Sequence, residues 1–175
     1  MTGRWLNAEM DDPDRDEMLR RAVSLREADG TELARELLLT LRERFPDDVE
    51  VAYQTAWAHD KLGLEAEAVP HYERSLATDG LSAADRLGAF TGLGSTYRVL
   101  GQYQAALATL RRGLEEFPGD GGLTTFLAMA LYNIGEARES VSLLLTLLAA
   151  TSSDEQVQRY RRAIEFYSGD LDATV

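Results

Sequence analysis

The residues best suited to chemistry are the two histidines of the chain, His59 and His71. Imidazole transfers protons near neutral pH and binds transition metals. A site that also used Asp60 or Glu73 would take one ligand from each helix of a hairpin. A useful metal site needs a third ligand, which the spacing does not supply. We therefore predict no metal centre and no cofactor, and a packed histidine at His59.

The other groups with catalytic potential have structural explanations. Two pairs of carboxylates, Asp47-Asp48 and Glu115-Glu116, lie at predicted helix ends, where solvation accounts for them. The glycines around Asp120 lack the lysine and the serine or threonine that a phosphate-binding loop requires. The sequence has no cysteine, hence no thiol nucleophile and no disulfide. No catalytic arrangement emerges, so we predict that the protein is not an enzyme.

Composition narrows the class of partner. The 175 residues are 45% hydrophobic and 27% charged, as expected for one folded domain. A formal net charge of -12 repels phosphate backbones, so nucleic acid is a poor partner. The longest uncharged runs, 121–135 and 140–153, are shorter than the roughly 20 residues of a membrane span, and the first thirty residues show no secretory signal. These features predict a cytoplasmic protein that does not bind membranes.

The elements that must carry any function are short amphipathic helices. In the central stretch 87–118, Phe90, Leu93, Gly94 and Tyr97 lie on one helical face, and Gly101 predicts the end of that helix. A second helix follows and ends at Pro118. The small residue Gly94 and its counterpart on the second helix allow the two antiparallel helices to approach closely.

This pair recurs along the chain. Gly94 is matched by Ala22, Ala56 and Ala128 at intervals of 34, 38 and 34 residues. The same intervals relate Ala106 to the series Ala34, Ala68 and Ser140. The turn glycine Gly101 is matched by Gly63 and Gly135, with Asp29-Gly30 one place late in the first copy. The longer interval predicts one extra turn at the start of the fifth helix, capped by Ser82 with Asp85.

The pattern resembles the tetratricopeptide repeat, in four copies at 15–48, 49–82, 87–120 and 121–152, within an array that ends at residue 153. The third and fourth copies further resemble a small bacterial family built of these repeats alone. The resemblance is carried by the segments LGSTYRVLGQYQAALATLRRGLEEFPGD and TFLAMALYNIGEARES. The resemblance implies an all-α, right-handed superhelical solenoid of four helix-turn-helix pairs. It also implies an interaction protein capable of dimerising, with no activity of its own.

The two ends of the array have separate predictions. Residues 1–14 form an acidic N-terminal extension in which Trp5 and Leu6 either fold back on the first repeat or belong to a frayed tail. Residues 154–169 form one capping helix whose apolar face carries Val157, Tyr160, Ile164 and Tyr167, as the end of a solenoid requires. Residues 170–175 form a tail.

The resemblance implies a concave groove lined by the first helix of each pair. Interfaces favour tyrosine, tryptophan, methionine and arginine, and the groove positions are predicted to hold Tyr53, Trp57, Lys61, Arg98, Met129, Tyr132 and Asn133. In the first repeat they hold Leu19, Val23 and Arg26. The leading hypothesis is a scaffold that binds a peptide or helix of a partner protein there, with Arg98 and Lys61 available for one carboxylate. The competing interpretation is that the chain's own ends cover Trp57 and Tyr132.

A second surface lies on the last repeat. Leu145 occupies the convex position held by Glu73 and Arg111 in earlier repeats, so its helix is apolar all round and must be covered. The capping helix covers part of it, and a second copy would bury Leu145 and Leu148 across a two-fold axis. The alternative function is therefore a structural homodimer in which either the groove or this convex face is occupied by the chain itself or by its second copy.

Overall fold

A computed structural model describes residues 13–174, and every regular element in that range is a helix. The helices are α1 (Pro13–Glu27), α2 (Thr31–Arg44), α3 (Val49–Lys61), α4 (Glu65–Ser75), α5 (Ala83–Val99), α6 (Tyr103–Glu116), α7 (Gly121–Asn133), α8 (Ala137–Thr151), α9 (Glu155–Arg159) and α10 (Arg161–Gly169). Each helix from α1 to α8 packs against the next one in sequence. The result is a stack of four helix pairs in the order of the chain, followed by the two short helices α9 and α10.

The turn inside each pair depends on a left-handed residue. Gly63, Gly101 and Gly135 have φ angles of 72°, 73° and 90°, a conformation that glycine adopts without steric cost. In the first pair this position belongs to Asp29, with φ 61°. The prediction that the turn comes one place late in the first copy is therefore wrong. Asp29 occupies the position equivalent to Gly63, because aspartate tolerates the left-handed conformation.

The core lies between paired helices and is built around the predicted small residues. All the matched alanines, Ala22, Ala34, Ala56, Ala68, Ala106 and Ala128, are fully buried. A Cβ added at Gly94 would lie 2.5 Å from Cγ of Leu110, closer than carbon atoms can approach. Close packing of α5 on α6 therefore depends on the absence of a side chain at Gly94.

The extra residues between the second and third pairs lengthen α5. This helix has 17 residues, whereas α3 and α7 have 13. Ser82 caps it: Ser82 Oγ accepts a hydrogen bond from the backbone N of Asp85 at 3.1 Å and donates one to Asp85 Oδ2 at 2.7 Å. The additional turn precedes the repeat position at residue 87, which confirms the predicted site of the insertion.

The two ends of the array differ from the predictions. Helix α1 begins at Pro13, so the last two residues of the predicted extension belong to the first helix. Trp5 and Leu6 lie outside the described residues. The predicted capping helix is two helices, divided at Tyr160, because the chain turns there to lay α10 along α8. Ser142 Oγ donates to the carbonyl of the buried Ser168 at 2.5 Å, whereas Tyr160 and Tyr167 remain exposed. The apolar face is thus only partly used to seal the array.

Candidate partner-binding groove

The first helices of successive pairs contact one another, α1 with α3, α3 with α5 and α5 with α7. Such contacts form on the inner side of a curved stack, where the elements crowd together. A pocket of about 380 Å³ opens between α3, α5 and α7. Its lining consists of Tyr53, Trp57, Asp60, Tyr72, Gly88, Thr91, Gly92, Ser95 and Phe126.

Two glycines of α5 give the pocket its shape. A Cβ at Gly88 would overlap the hydroxyl of Tyr53, and a Cβ at Gly92 would overlap the ring of Tyr72. Both tyrosine side chains therefore pack against bare backbone of α5. Tyr53 is only 5% exposed, and burial raises its pKa to about 12. Tyr53 was predicted as a surface contact, and this is corrected: the ring forms the wall of the pocket.

Trp57 is a large aromatic residue of the groove with 42% of its surface exposed. One side of the indole is covered by Arg26, whose guanidinium carbon lies 3.5 Å from the ring centroid. Arg26 is buried and also donates to Oε1 of Gln54, and burial lowers the pKa of Arg26. The predicted exposed position of Arg26 is therefore wrong: its charge is held inside the groove by an aromatic ring and an amide.

Asp60 joins three helices at the base of the pocket. Its Oδ2 accepts a hydrogen bond from the Tyr72 hydroxyl at 3.1 Å, and its Oδ1 accepts one from Thr96 Oγ1 at 3.0 Å. Burial raises the pKa of this carboxyl group, and the two hydroxyl donors counteract the rise. Its two partners, on α4 and α5, follow only from the packing.

The basic residues predicted for the groove contact different parts of the chain. Lys61 Nζ lies 3.3 Å from Asp29 Oδ1 and donates to the backbone carbonyl of Arg26 at 3.0 Å, so it ties α3 to the first turn. Arg98 lies farther along and donates to Asn133 Oδ1 at 3.4 Å. Within residues 13–174, Nε of Arg98 is buried without a hydrogen-bond partner. Both side chains thus contact groups of the chain itself, and their binding of one carboxylate stays a prediction.

The far end of the groove belongs to α7. Tyr132 is 66% exposed, and Met129 and Asn133 are also exposed. The predicted groove residues thus fall into three sets. Tyr53 and Trp57 line the pocket with Asp60, and Lys61 lies at the first turn. Arg98 and Asn133 lie with the exposed face of α7. Over the described residues, Trp57 and Tyr132 both stay accessible.

The histidines have a structural role. His59 Nδ1 lies 2.8 Å from the carbonyl of Thr55 and must donate to it, so Nε2 is the acceptor for Arg35 Nε at 3.0 Å. Both ring nitrogens are therefore occupied by protein groups. His71 stacks on His59 at 5.2 Å between ring centroids, and burial, followed by the charges of His59 and Arg42, lowers the pKa of His71 to about 4. The packed role predicted for His59 is confirmed.

Metal ligation has no support from the geometry. Among the described residues, no group of three histidine, cysteine, aspartate or glutamate side chains is arranged to hold a metal ion.

The convex surface of the last pair carries a separate apolar patch. Val141, Leu144 and Leu148 on α8 are exposed, as are Phe166 and Tyr167 on α10. Leu145 is half-buried. This patch lies on the second helix of its pair and on the helical end, away from the groove-lining first helices.

The stacked pairs define an all-helical repeat solenoid, the class to which tetratricopeptide proteins belong. The chain belongs to the family described as Tetratrico peptide repeat (TPR_5), which matches residues 49–171. Residues 18–48 match a second description, Tetratricopeptide repeat (TPR_6). These matches confirm the predicted family and the predicted fold class.

Solved structures agree with this assignment. The chain is similar to MamA AMB-1, with 27% identity and a TM-score of 0.63, covering 94% of this chain and 96% of that one. It is similar to a mutant form of MamA, with 26% identity and a TM-score of 0.65, over 91% and 90% of the two chains. It also resembles a chain of the APC/C hetero-tetramer Cut9-Hcn1, with 17% identity and a TM-score of 0.68, covering 86% of this chain but 30% of that one.

No curated protein matches the chain. Across residues 13–174, no helix combines the length and the apolar character needed to cross a membrane. The repeats and their structural relatives support a protein–protein interaction scaffold, a class that generally binds protein partners and is generally not catalytic.

Proposed function

We propose that the protein is a non-enzymatic scaffold that binds a peptide or helix of a partner protein in the groove formed by α3, α5 and α7. The observation that carries the proposal is the exposure of two aromatic residues on these first helices: Trp57 of α3, which lines the 380 Å³ pocket, and Tyr132 of α7. Large exposed aromatic residues beside a concave surface are typical of interface hot spots, because they bury much area at low entropic cost.

The predicted contact residues take different roles in this proposal. Trp57, Met129 and Tyr132 supply apolar contact area. Arg98 and Asn133 supply polar contacts at the far end, where they are hydrogen-bonded to each other. Tyr53 shapes the pocket, and Lys61 holds α3 against the first turn.

A capture experiment with two matched baits tests the groove. The first bait carries Trp57→Ala and Tyr132→Ala, and the control bait carries Tyr160→Ala and Phe166→Ala, two exposed aromatic residues on the helical end. We expect wild type and the control to capture the same partner from lysate of the source organism, and the groove variant to lose it. Retention of the partner by a folded groove variant would contradict the proposal.

A second candidate function, self-association, is favoured by the exposed patch of Val141, Leu144, Leu148, Phe166 and Tyr167. A two-fold contact between copies would bury this patch against itself. Leu148 is 42% exposed, whereas Leu145 is already half-buried within the chain. Light scattering across a range of concentrations tests this function. We expect a dimer that Leu148→Lys dissociates and Tyr132→Ala leaves intact; a concentration-independent monomer would refute it.

A further inference from the structure

We propose that the pocket around Asp60 receives a basic side chain, lysine or arginine, of the partner segment bound in the groove. This inference rests on the proposed function and specifies the chemistry of its ligand. It concerns the pocket between α3, α5 and α7, where Asp60 lies among the aromatic residues Tyr53, Trp57, Tyr72 and Phe126.

The first argument is that Asp60 has hydrogen-bond donors but no basic partner among the described residues. Asp60 accepts hydrogen bonds from the hydroxyls of Tyr72 and Thr96, both of which are neutral. Each carboxylate oxygen accepts more than one hydrogen bond. In the part of the chain that the structure describes, no lysine, arginine or histidine nitrogen lies within 4.0 Å of this carboxylate as an ion pair. The carboxylate retains capacity for a cation.

The second argument is that the nearby cations are already engaged. Arg26 lies over Trp57 and donates to Gln54. Lys61 pairs with Asp29, and Arg98 donates to Asn133. Each of these groups has a partner other than Asp60. A basic side chain from a partner protein would supply the missing charge without displacing them.

The third argument is the aromatic lining. The π-electron faces of tryptophan, tyrosine and phenylalanine attract cations within about 6 Å, and the methylene stems of lysine and arginine pack on apolar surface. Arg26 on Trp57 shows this contact within the chain itself. The α5 side of the pocket stays open because Gly88 and Gly92 have no side chains. A pocket with aromatic walls and a carboxylate at its base suits a long basic side chain.

The charge surrounding the pocket favours the same ligand. Asp85 lies close enough to Tyr53 to add to the effect of burial on the pKa of that phenol, so a second carboxylate acts on this side of the groove. The net charge of -12 attracts a basic partner and increases its association rate. An acidic side chain would meet repulsion from Asp60, and an apolar one would bury Asp60 without a counter-ion.

Peptide selection tests the inference without knowledge of the natural partner. The probe is a phage-displayed library of random peptides, selected on immobilised full-length chain in three forms: wild type, Asp60→Asn, and the control Glu67→Gln. Glu67 is an exposed acid on α4, outside the pocket lining. We expect wild type and Glu67→Gln to enrich peptides with lysine or arginine at one constant position. Fluorescence polarisation on a selected peptide should show about tenfold or greater weakening by Asp60→Asn.

A substitution in the peptide tests the same contact without any change to the protein, so a misfolded protein variant cannot account for its effect. Replacing the enriched basic residue by glutamine, with the protein unmodified, should weaken binding by about the same factor as Asp60→Asn. Combining the two changes should add little further loss, because both remove the same contact. Added salt should weaken the wild-type complex more than the Asp60→Asn complex.

The outcomes separate the inference from the function on which it rests. Binding of the selected peptides to a Trp57→Ala form of the chain shows which of them require Trp57. Peptides that require Trp57 but carry no enriched basic residue, or basic peptides that bind Asp60→Asn as tightly as wild type, overturn the inference and leave groove binding intact. If no enriched peptide depends on Trp57, groove binding itself fails, and the inference fails with it.

Discussion

The second and third helix pairs, α3 to α6, and the helical end, α8 to α10, use the same repeat scaffold to make different surfaces. In the first region, aromatic rings are held by glycines on the facing helix and by hydroxyl bonds to Asp60. In the second, Val141, Leu144, Leu148 and Phe166 are exposed without such support. The first surface has a shape fixed by these contacts, whereas the apolar residues of the second would be stabilised mainly by their removal from water.

The contrast shows that repeat scaffolds specify core and surface separately. The small residues between paired helices recur in every copy and set the backbone. The convex position held by Glu73 and Arg111 becomes Leu145 in the last copy without changing the fold. Surface chemistry therefore varies from repeat to repeat while the packing stays constant.

Truncating one phenylalanine in each region gives the largest expected difference. Phe90 is fully buried in the core of α5, whereas Phe166 on α10 is 65% exposed. We expect Phe90→Ala to reduce the free energy of unfolding by about 3–5 kcal/mol and Phe166→Ala to change it by less than about 0.5 kcal/mol. Urea denaturation of both variants checks this. Similar losses at the two sites would mean that α10 is packed as firmly as the core.

Adding a methyl group to α5 tests the preorganisation of the pocket. Gly92→Ala places a Cβ against the buried ring of Tyr72, and we expect a loss of about 1–3 kcal/mol from overpacking. The control is Gly169→Ala at the end of α10, where no atom lies within 4 Å of an added Cβ. Thermal melts followed by circular dichroism measure both. Equal stability of Gly92→Ala and wild type would show that Tyr72 moves freely and that the pocket has no fixed shape.

His71 makes the stability of the α3–α4 region depend on pH. Its folded-state pKa is about 4, below the ordinary 6.5, so the unfolded chain takes up this proton first on acidification. Stability should therefore fall between pH 6.5 and pH 4, by about 1–2 kcal/mol after allowance for partial exposure. Denaturation of wild type and His71→Gln across this range isolates the contribution from that of the carboxylates. Identical pH profiles of the two proteins would contradict the prediction.

Two ion pairs, one in each region, give the smallest expected difference in coupling free energy. Arg86 binds Glu116 through two hydrogen bonds, at 2.5 and 2.9 Å, and links α5 to α6. Arg161 pairs with Glu165 within α10 at 2.7 Å. Double-mutant cycles should show coupling of about 0.5–1 kcal/mol for the first pair and about 0.3–0.5 kcal/mol for the second. A larger coupling in α10 would reverse the expected order of the two regions.

The sequence predicted the backbone plan well, because each of its determinants is local. Small residues at regular intervals located the helix pairs, glycines located three of the turns, and Ser82 with Asp85 located the extra turn of α5. The break at Tyr160 was missed because the apolar spacing runs continuously through it. Only the docking of α10 along α8 requires the chain to turn there.

The candidate site was predicted in part. Tyr53 and Trp57 are one helical turn apart on the same face of α3, so spacing treats them alike. Tyr53 is buried because its ring packs against Gly88 of α5, whereas Trp57 remains 42% exposed. Arg26 was likewise assigned to the surface, although the indole of Trp57 and the amide of Gln54 enclose it. The glycines at 88 and 92, one turn apart in a helix that would otherwise favour larger residues, are the signal that locates the pocket.

The sequence by itself determined the all-helical repeat, its register, its turns and its acidic charge, since these depend on residues that are close together or recur at a constant interval. The tertiary structure alone decided which groove residues are open and that Asp60 is held by Tyr72 and Thr96, which lie 12 and 36 positions away. Such contacts depend on how neighbouring helices fit together, and the fit is set by side-chain volumes on several helices at once.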